Sequence, residues 1–321
     1  MDAPLVTVIT VTYNSSLYVR DTIESVLSQT HSHLQYVIAD DCSTDNTWEI
    51  IQQYNDPRIT AYRNEANLGE YPNRNKAISY ATGEYLIFID GDDVIYPHGI
   101  AFFVNMMQQF PGAALAIQKE YTNNVLYPAL LYPEDSMRNY YFGKENLLSS
   151  SFASDFYRTD AIKAAGFLSE KYVGGDNLIR LMVALKKPVL LVAGWVSWPR
   201  ETPGQASSRM SLETQYVEHF RIASELENAN DPELVQPSVW QSINRNNRRS
   251  LARFILRTIA QGNFKLANRV RTKGELKWGE LYKTAMLKGE NHDFLAGYSP
   301  AKPFKRGFLN QLATPSTSRL K

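Results

Sequence analysis

Leu5 to Thr12 contains an unbroken run of β-branched residues, Val6-Thr7-Val8-Ile9-Thr10-Val11, and this run constrains the fold more than any other feature of the chain. β-Branched side chains are stiff at χ1 and suit the pleated surface of a sheet. The run lacks apolar–polar alternation, which suits a strand covered on both faces, the setting of a central parallel strand. A parallel partner needs a crossover, so a helix should follow. After the turn Asn14-Ser15-Ser16, Leu17, Ile23, Val26 and Leu27 recur at helical spacing, and a second strand is expected from Leu34 to Ala39.

The alternation then repeats. Ser43, Thr44 and Asp45 are N-cap candidates for a helix carrying Trp48, Ile51 and Tyr54, and the Asp56-Pro57 turn leads to a strand from Arg58 to Tyr62. A helical stretch around Ala77 to Tyr80 ends near Gly83, and the apolar strand Tyr85 to Ile89 runs into Asp90-Gly91-Asp92-Asp93. Four such alternations predict an α/β fold with a doubly wound, mostly parallel sheet and right-handed crossovers. Beyond residue 100 the pattern gives a helix at Ile100 to Gln109, an irregular stretch from Tyr121 to Tyr141, helices near Ala161 and Leu178, and a helical last quarter with Leu251, Ile255 and Ile259 on one stripe.

The 321 residues, 44% hydrophobic and 21% charged, suit a folded domain with an appendage and exclude global disorder. Cys42 is the only cysteine, so no internal disulfide or thiolate-rich metal site can form, and a reducing, cytoplasmic setting is expected. Met1-Asp2-Ala3-Pro4 has no signal-peptide character, and the apolar stretch Pro188 to Trp198 is about half the length that spans a bilayer. The net charge of +1 conceals a division after Ile243: residues 244–321 carry 17 Lys and Arg against 4 Asp and Glu. Such a region is either a solvated face or a surface for phosphate-bearing acceptors or anionic lipid, and a peripheral position on the inner face of the membrane is expected.

In a sheet of this kind, ligands sit beyond the carboxyl ends of the strands. Those ends carry Tyr13-Asn14, Asp40-Asp41, Arg63-Asn64 and Asp90 to Asp93. The mutual repulsion of Asp90, Asp92 and Asp93 at the end of a buried strand calls for a cation. Mg²⁺ or Mn²⁺ needs only one or two protein carboxylates when a diphosphate and waters supply the rest. The plainer reading is a polar turn. Asp41 could accept the imide N–H of a uracil stacked on Tyr13, or cap the following helix as Ser43 or Asp45 could. No GxGxxG or Walker-type loop follows the first strand, which speaks against dinucleotide and P-loop chemistry.

Seven ordered blocks resemble the family 2 glycosyltransferases: Val8 to Asn14, Ser25 to Thr30, Asp40 to Asp45, Asn67 to Gly69, Arg74-Asn75, Ala81 to Tyr85, and Asp90 to Asp93 with Pro97. A weaker continuation passes through Ala165-Gly166-Phe167 and Gly175-Asp176-Asn177-Leu178 to Arg180-Leu181. The resemblance implies a GT-A fold over residues 1–210, with a nucleotide-sugar half at 1–100 and an acceptor half at 101–210, before a helical basic region at 211–321. It implies that Thr12, Tyr13 and Asn14 flank the base, that Asp41 reads it, and that Asn67 and Arg74 lie close to the nucleotide. Asp90, with Gly91, would meet the ribose and Asp92 the metal. Asp176 matches the general base that deprotonates the acceptor hydroxyl in an inverting transfer; the competing role is a helix N-cap after Gly174-Gly175.

Three positions depart from the family pattern: Val11 replaces a proline, Cys42 a glycine, and Thr202 a histidine that reaches the metal in many relatives, with Glu201 a substitute ligand. Cys42 is expected to be a small buried residue. The implied function is metal-dependent transfer from a UDP-sugar to a glycan, glycolipid or glycoprotein hydroxyl in bacterial surface polysaccharide or glycan synthesis. Lipid-linked acceptors fit that class, and no nucleic acid partner is expected. The alternatives are a metal-dependent nucleotidyltransferase and a non-catalytic nucleotide-binding scaffold, and the carboxylate set Asp90, Asp92 and Asp176 speaks against the latter.

Overall fold

The β-branched run forms β1 (Val6–Thr12), followed by α1 (Val19–Leu27), β2 (Leu34–Asp40), α2 (Thr47–Ile51), β3 (Ile59–Arg63), α3 (Glu70–Ser79) and β4 (Tyr85–Phe88). Next along the chain come β5 (Val94–Ile95), α4 (Gly99–Gln109), β6 (Leu115–Lys119), β7 (Ala129–Leu131), α5 (Pro133–Phe142), β8 (Asp155–Arg158), α6 (Thr159–Ala165), α7 (Gly175–Lys186), β9 (Val189–Ala193) and β10 (Ser197–Trp198), with β5 and β10 paired as a separate two-stranded sheet. Four helices end the ordered description: α8 (Leu212–Asn228), α9 (Pro237–Ala260), α10 (Phe264–Lys273) and α11 (Leu281–Ala285). This computed structural model describes residues 3–120, 125–166, 168–200, 202 and 211–289; Glu201 lies outside them.

The eight-stranded sheet has the order β3-β2-β1-β4-β8-β6-β9-β7, in which β8 and β7 run against the other six. Helices α1, α2 and α4 cover one face and α3, α5, α6, α7 and α8 the other, so the doubly wound expectation holds. β1 is central and buried on both faces. Its two fully buried threonines are satisfied there: Thr7 donates to Gln35 Oε1 and Thr10 to the Ile89 carbonyl. Because β6 runs parallel to β1 and β4, its carboxyl end lies on the same edge as Asp40 and Asp90.

Two expectations need correction. The stretch from Tyr121 to Tyr141 is not irregular where it is described, because it contains β7 and α5. Pro133 at the first helical turn, with Glu134 and Asp135 after it, is a helix start that Tyr and Asn content obscures. Helix α3 begins at Glu70, well before Ala77, and tolerates Pro72 because first-turn N–H groups have no intrahelical acceptor to lose.

The charge boundary at Ile243 does not interrupt the packing, and helices α8 and α9, after residue 210, share the core of the sheet. Ile222 and Leu226 of α8 and Val239, Trp240 and Ile243 of α9 belong to the core that covers the sheet. Farther along the same helix, Leu251, Ala252, Phe254 and Ile255 form a second core with Ala267, Val270, Leu276 and Leu281. The predicted stripe of Leu251, Ile255 and Ile259 faces that core. One helix, about 36 Å long, thus carries two cores, and the charge changes sign between them.

Candidate functional site

The loops after β1 and β2 are fastened to each other. Thr12 Oγ1 donates to Asp40 Oδ1 at 2.9 Å, and the same buried carboxylate accepts from Ser43 N and Oγ. Asn14, at φ 52°, donates its N–H to Ser43 Oγ and accepts the Thr44 N–H on Oδ1. Tyr13 is half exposed at the mouth of this loop pair. Asp45, rather than Asp41, serves the start of α2, accepting from Thr47 N at 3.0 Å.

Asp41 is 3% exposed and faces the turn before α3. Its Oδ1 accepts from Asn64 Nδ2 and Leu68 N, and its Oδ2 from Gly69 N, each at 2.9 Å. Asp41 therefore organises the loop that carries exposed Asn67, whose own Oδ1 also accepts from Gly69 N. Cys42 is half-buried, not buried as expected, and has φ 61°, a conformation that L side chains resist.

At the end of β4, Arg74 places a buried guanidinium fork on Asp90, with Nη1 at 2.5 Å from Oδ1 and Nη2 at 2.9 Å from Oδ2. Nη2 also donates to Glu70, one turn earlier on α3. Burial alone would lower the Arg74 pKa, but Asp90 and Glu70 outweigh it and hold the guanidinium charged. A Cβ on Gly91 would stand 2.8 Å from Thr12 Cγ2 and 3.0 Å from Ser15 Oγ, so only glycine lets this turn lie against the β1 loop. Asp92 is half-buried and accepts from Thr202 Oγ1 at 2.7 Å. Asp93 is pushed up to about 8 by burial and by Asp90, while the Arg200 N–H opposes the rise.

This carboxylate edge fits a hard divalent cation. Three acidic side chains crowd one turn, and a protonated Asp93 is one way to relieve their repulsion. A cation beside Asp92 is another. The described residues contain no group of three or more His, Cys, Asp or Glu side chains arranged for a metal. One or two protein oxygens are the number Mg²⁺ or Mn²⁺ needs beside a diphosphate and waters.

Asp176 lies in the first turn of α7, and its side chain is 34% exposed. Gly174 occupies the N-cap position without a side-chain bond, so Asp176 is not the cap. Two residues grip the backbone in front of it. Tyr71 of α3 donates its hydroxyl hydrogen to the Val173 carbonyl and accepts the Gly175 N–H. Glu218 of α8 accepts the Val173 N–H at 2.7 Å and the Gly174 N–H at 3.1 Å. Beneath this loop, fully buried Arg180 donates to Asp155 Oδ2 at 2.7 Å, and Asp155 also accepts from Ser150 and Tyr157 hydroxyls. Arg180 Nη2 lies 3.9 Å from Asp176 Oδ2.

At the carboxyl end of β6 lies a cavity of about 510 Å³ whose walls include Gln118, Lys119, Glu145, Ser149 and Trp195. Lys119 Nζ reaches the Ser149 carbonyl and Arg180 Nη2 the Ser150 carbonyl, which ties one wall to α7. Tyr71, Asp155, Glu218 and Trp195 did not stand out in the sequence. The resemblance marked Arg74, but no local pattern announces partners 100 or more residues away, such as Tyr71 with Gly175.

Residues 7–163 match the model of glycosyl transferase family 2. TuaG of Bacillus subtilis (strain 168), a glycosyltransferase named for teichuronic acid biosynthesis, is 50% identical over 92 residues, 28% of this chain and 36% of that protein. The Escherichia coli enzyme WfaP, named as a UDP-Glc:alpha-D-GlcNAc-diphosphoundecaprenol beta-1,3-glucosyltransferase, is 32% identical over 150 residues, covering 47% and 51%. The chain thus spans about a third to a half of these curated relatives. Among solved structures, S. aureus TarS 1–349 superposes with a TM-score of 0.61 at 22% identity, over 87% of this chain and 86% of that one. The mannosyltransferase PcManGT of Pyrobaculum calidifontis, solved with GDP-Man and Mn²⁺, gives 0.56 at 16%, over 89% and 84%. The chain has a GT-A fold, and its residues 7–163 carry the sequence pattern of glycosyl transferase family 2.

Proposed function

We propose that the chain is an inverting glycosyltransferase that moves a sugar from a UDP-sugar to a hydroxyl of a glycan, glycolipid or glycoprotein acceptor in bacterial polysaccharide synthesis. The observation that carries this reading is α3, whose first turn joins the Asp90 edge through Arg74 to the Asp176 loop through Tyr71. In this reading residues 1–100 bind the nucleotide-sugar and 101–210 the acceptor. Thr12, Tyr13 and Asn14 flank the uracil, Asp41 and Asn67 shape its pocket, and Asp90, oriented by Arg74 beside Gly91, binds the ribose. WfaP is named for a UDP-Glc donor and a diphosphoundecaprenol acceptor, and one TarS structure is a complex with UDP-GlcNAc, which supports a UDP-sugar and a lipid-linked acceptor here.

Asp176 accepts the proton of the acceptor hydroxyl as its oxygen attacks the anomeric carbon, and UDP departs from the opposite face. Mn²⁺ or Mg²⁺ held by Asp92 would supply positive charge for the leaving diphosphate. Thr202 orients that carboxylate. The basic C-terminal region keeps the enzyme at the inner face of the membrane.

The test is calorimetric titration of UDP and GDP with and without Mn²⁺, on wild type, Asp92→Ala and Asp176→Asn. UDP should bind alone, Asp92→Ala should abolish the gain from Mn²⁺, and Asp176→Asn should keep UDP affinity while transfer falls by roughly 10²- to 10⁴-fold. Binding of neither nucleotide would sink the donor site, and UDP binding without transfer would favour the scaffold.

A further inference from the structure

The C-terminal unit carries apolar surface that its own core does not use. Trp278, Tyr282 and Met286 are 49%, 72% and 65% exposed. They recur at i,i+4 spacing, and the Met286 N–H donates to the Tyr282 carbonyl, so the helical path continues through the row. The adjoining row, Leu281 and Ala285, is buried in the core shared with α9. The apolar stripe of this turn is thus wider than its contact with α9, and the surplus faces water.

Cations frame the surplus. Lys277, Lys283 and Lys288 are exposed on the same segment, and the Arg271 guanidinium lies 4.9 Å from the centre of the Trp278 ring. Residues 245–289 hold 12 Lys and Arg against 2 Asp and Glu. Some of that charge is already committed, since Arg269 and Lys273 pair with Glu213 of α8. The three lysines of the 277–288 segment do not share that pairing.

We propose that the turn from Trp278 to Met286 docks on an anionic phospholipid surface, with the two rings at headgroup level, Met286 against the acyl boundary and the flanking lysines on lipid phosphates. Tryptophan and tyrosine suit the membrane–water interface because each joins an apolar ring to one polar atom. No helix among the described residues is long and apolar enough to cross a membrane, so the contact is interfacial. Lipid fits better than a nucleic acid because Met286 offers no stacking face to a base, whereas it extends the stripe that an acyl layer would cover. The inference deepens the proposed function by naming the surface that brings the enzyme to a lipid-linked acceptor, and it rests on that reading for its purpose.

The test uses the full chain with phosphatidylcholine vesicles, with and without phosphatidylglycerol. The chain should sediment with the anionic vesicles alone, and lipids brominated near the interface should quench its tryptophan fluorescence. Trp278→Phe should remove most of that quenching. The triple variant Trp278→Ser, Tyr282→Ser, Met286→Ser should bind vesicles at least about tenfold more weakly while its circular dichroism and UDP titration match wild type. Absence of binding to anionic vesicles overturns the proposal, as does undiminished binding by the triple variant or quenching that survives Trp278→Phe. Vesicle binding by a wild-type chain that binds no UDP would leave this surface standing and remove the transferase reading.

Discussion

Arg74 and Arg180 make the same kind of bond in two different regions. Each guanidinium is buried and holds a carboxylate, Asp90 at the end of β4 and Asp155 at the start of β8. The carboxylates differ: the Asp90 side chain is 26% exposed at the strand ends, whereas Asp155 is wholly buried and closed off by Ser150 and Tyr157. A buried ion pair does not by itself add net stability, because desolvation offsets the attraction. What each arginine provides is a fixed direction. Arg74 fixes a partly open carboxylate at the strand ends, and Arg180 ties α7 to a closed one.

The contrast breaks if the two pairs respond alike to substitution. Asp155→Ala strands the Arg180 charge in the core and should cost about 3–5 kcal/mol in urea unfolding. The paired replacement Asp155→Leu, Arg180→Met should recover much of that loss. Arg74→Ala leaves Asp90 where water can reach it, so it should cost less stability and instead weaken UDP binding in calorimetry. Equal losses of stability from Asp155→Ala and Arg74→Ala would remove the distinction.

The grip on the Asp176 loop sharpens the functional side. Tyr71→Phe keeps the ring and deletes both hydroxyl bonds to residues 173 and 175. Turnover in steady-state assays should fall by roughly 10- to 100-fold, with UDP affinity unchanged. An equal loss of UDP affinity would place Tyr71 on the nucleotide side.

A smaller effect is expected from His219 of α8, whose ring packs against Tyr140 and Tyr141. Burial lowers its pKa from 6.5 to about 4. The folded state therefore binds its proton later than the unfolded chain as pH falls. The associated stability is complete above the unfolded value, declines as pH drops through that window, and is gone below the folded value. His219→Gln should flatten this decline in urea midpoints compared at about pH 7 and about pH 4.5.

The smallest change should come from Cys42→Gly. It relieves a left-handed backbone that costs an L residue about 1–2 kcal/mol, partly offset by the greater freedom of glycine in the unfolded chain. Thermal unfolding should shift upward by a few degrees at most.

The sequence made the first half readable because its signals are local. β1, β2 and β4 are buried strands a few residues long, β1, β2 and β3 are each followed by a turn and a helix, and the acidic cluster ends a strand. The resemblance reached Asp176 as well. The second half was harder for a physical reason. β8 enters the sheet antiparallel between β4 and β6, and β7 closes the edge of β9, so neither follows the βα alternation. The grip of Glu218 on residues 173 and 174 depends on α8 folding back over α7, which no short-range pattern encodes. The left-handed Cys42 was legible only as an oddity, a side chain where the resemblance implies glycine.

Glu70, Tyr71 and Arg74 share the opening of α3, and each is committed to a different part of the molecule. Each residue added to a helix turns everything beyond it by about 100° and advances it by about 1.5 Å. A single insertion between Tyr71 and Arg74 would swing Arg74 away from Asp90 while Tyr71 stayed on its loop. Surface loops commonly absorb such length changes, but this turn has no slack in which to hide one. Drift in chain length along this protein is therefore least tolerable at a ten-residue helix that contains none of the three aspartates assigned to donor, metal and base.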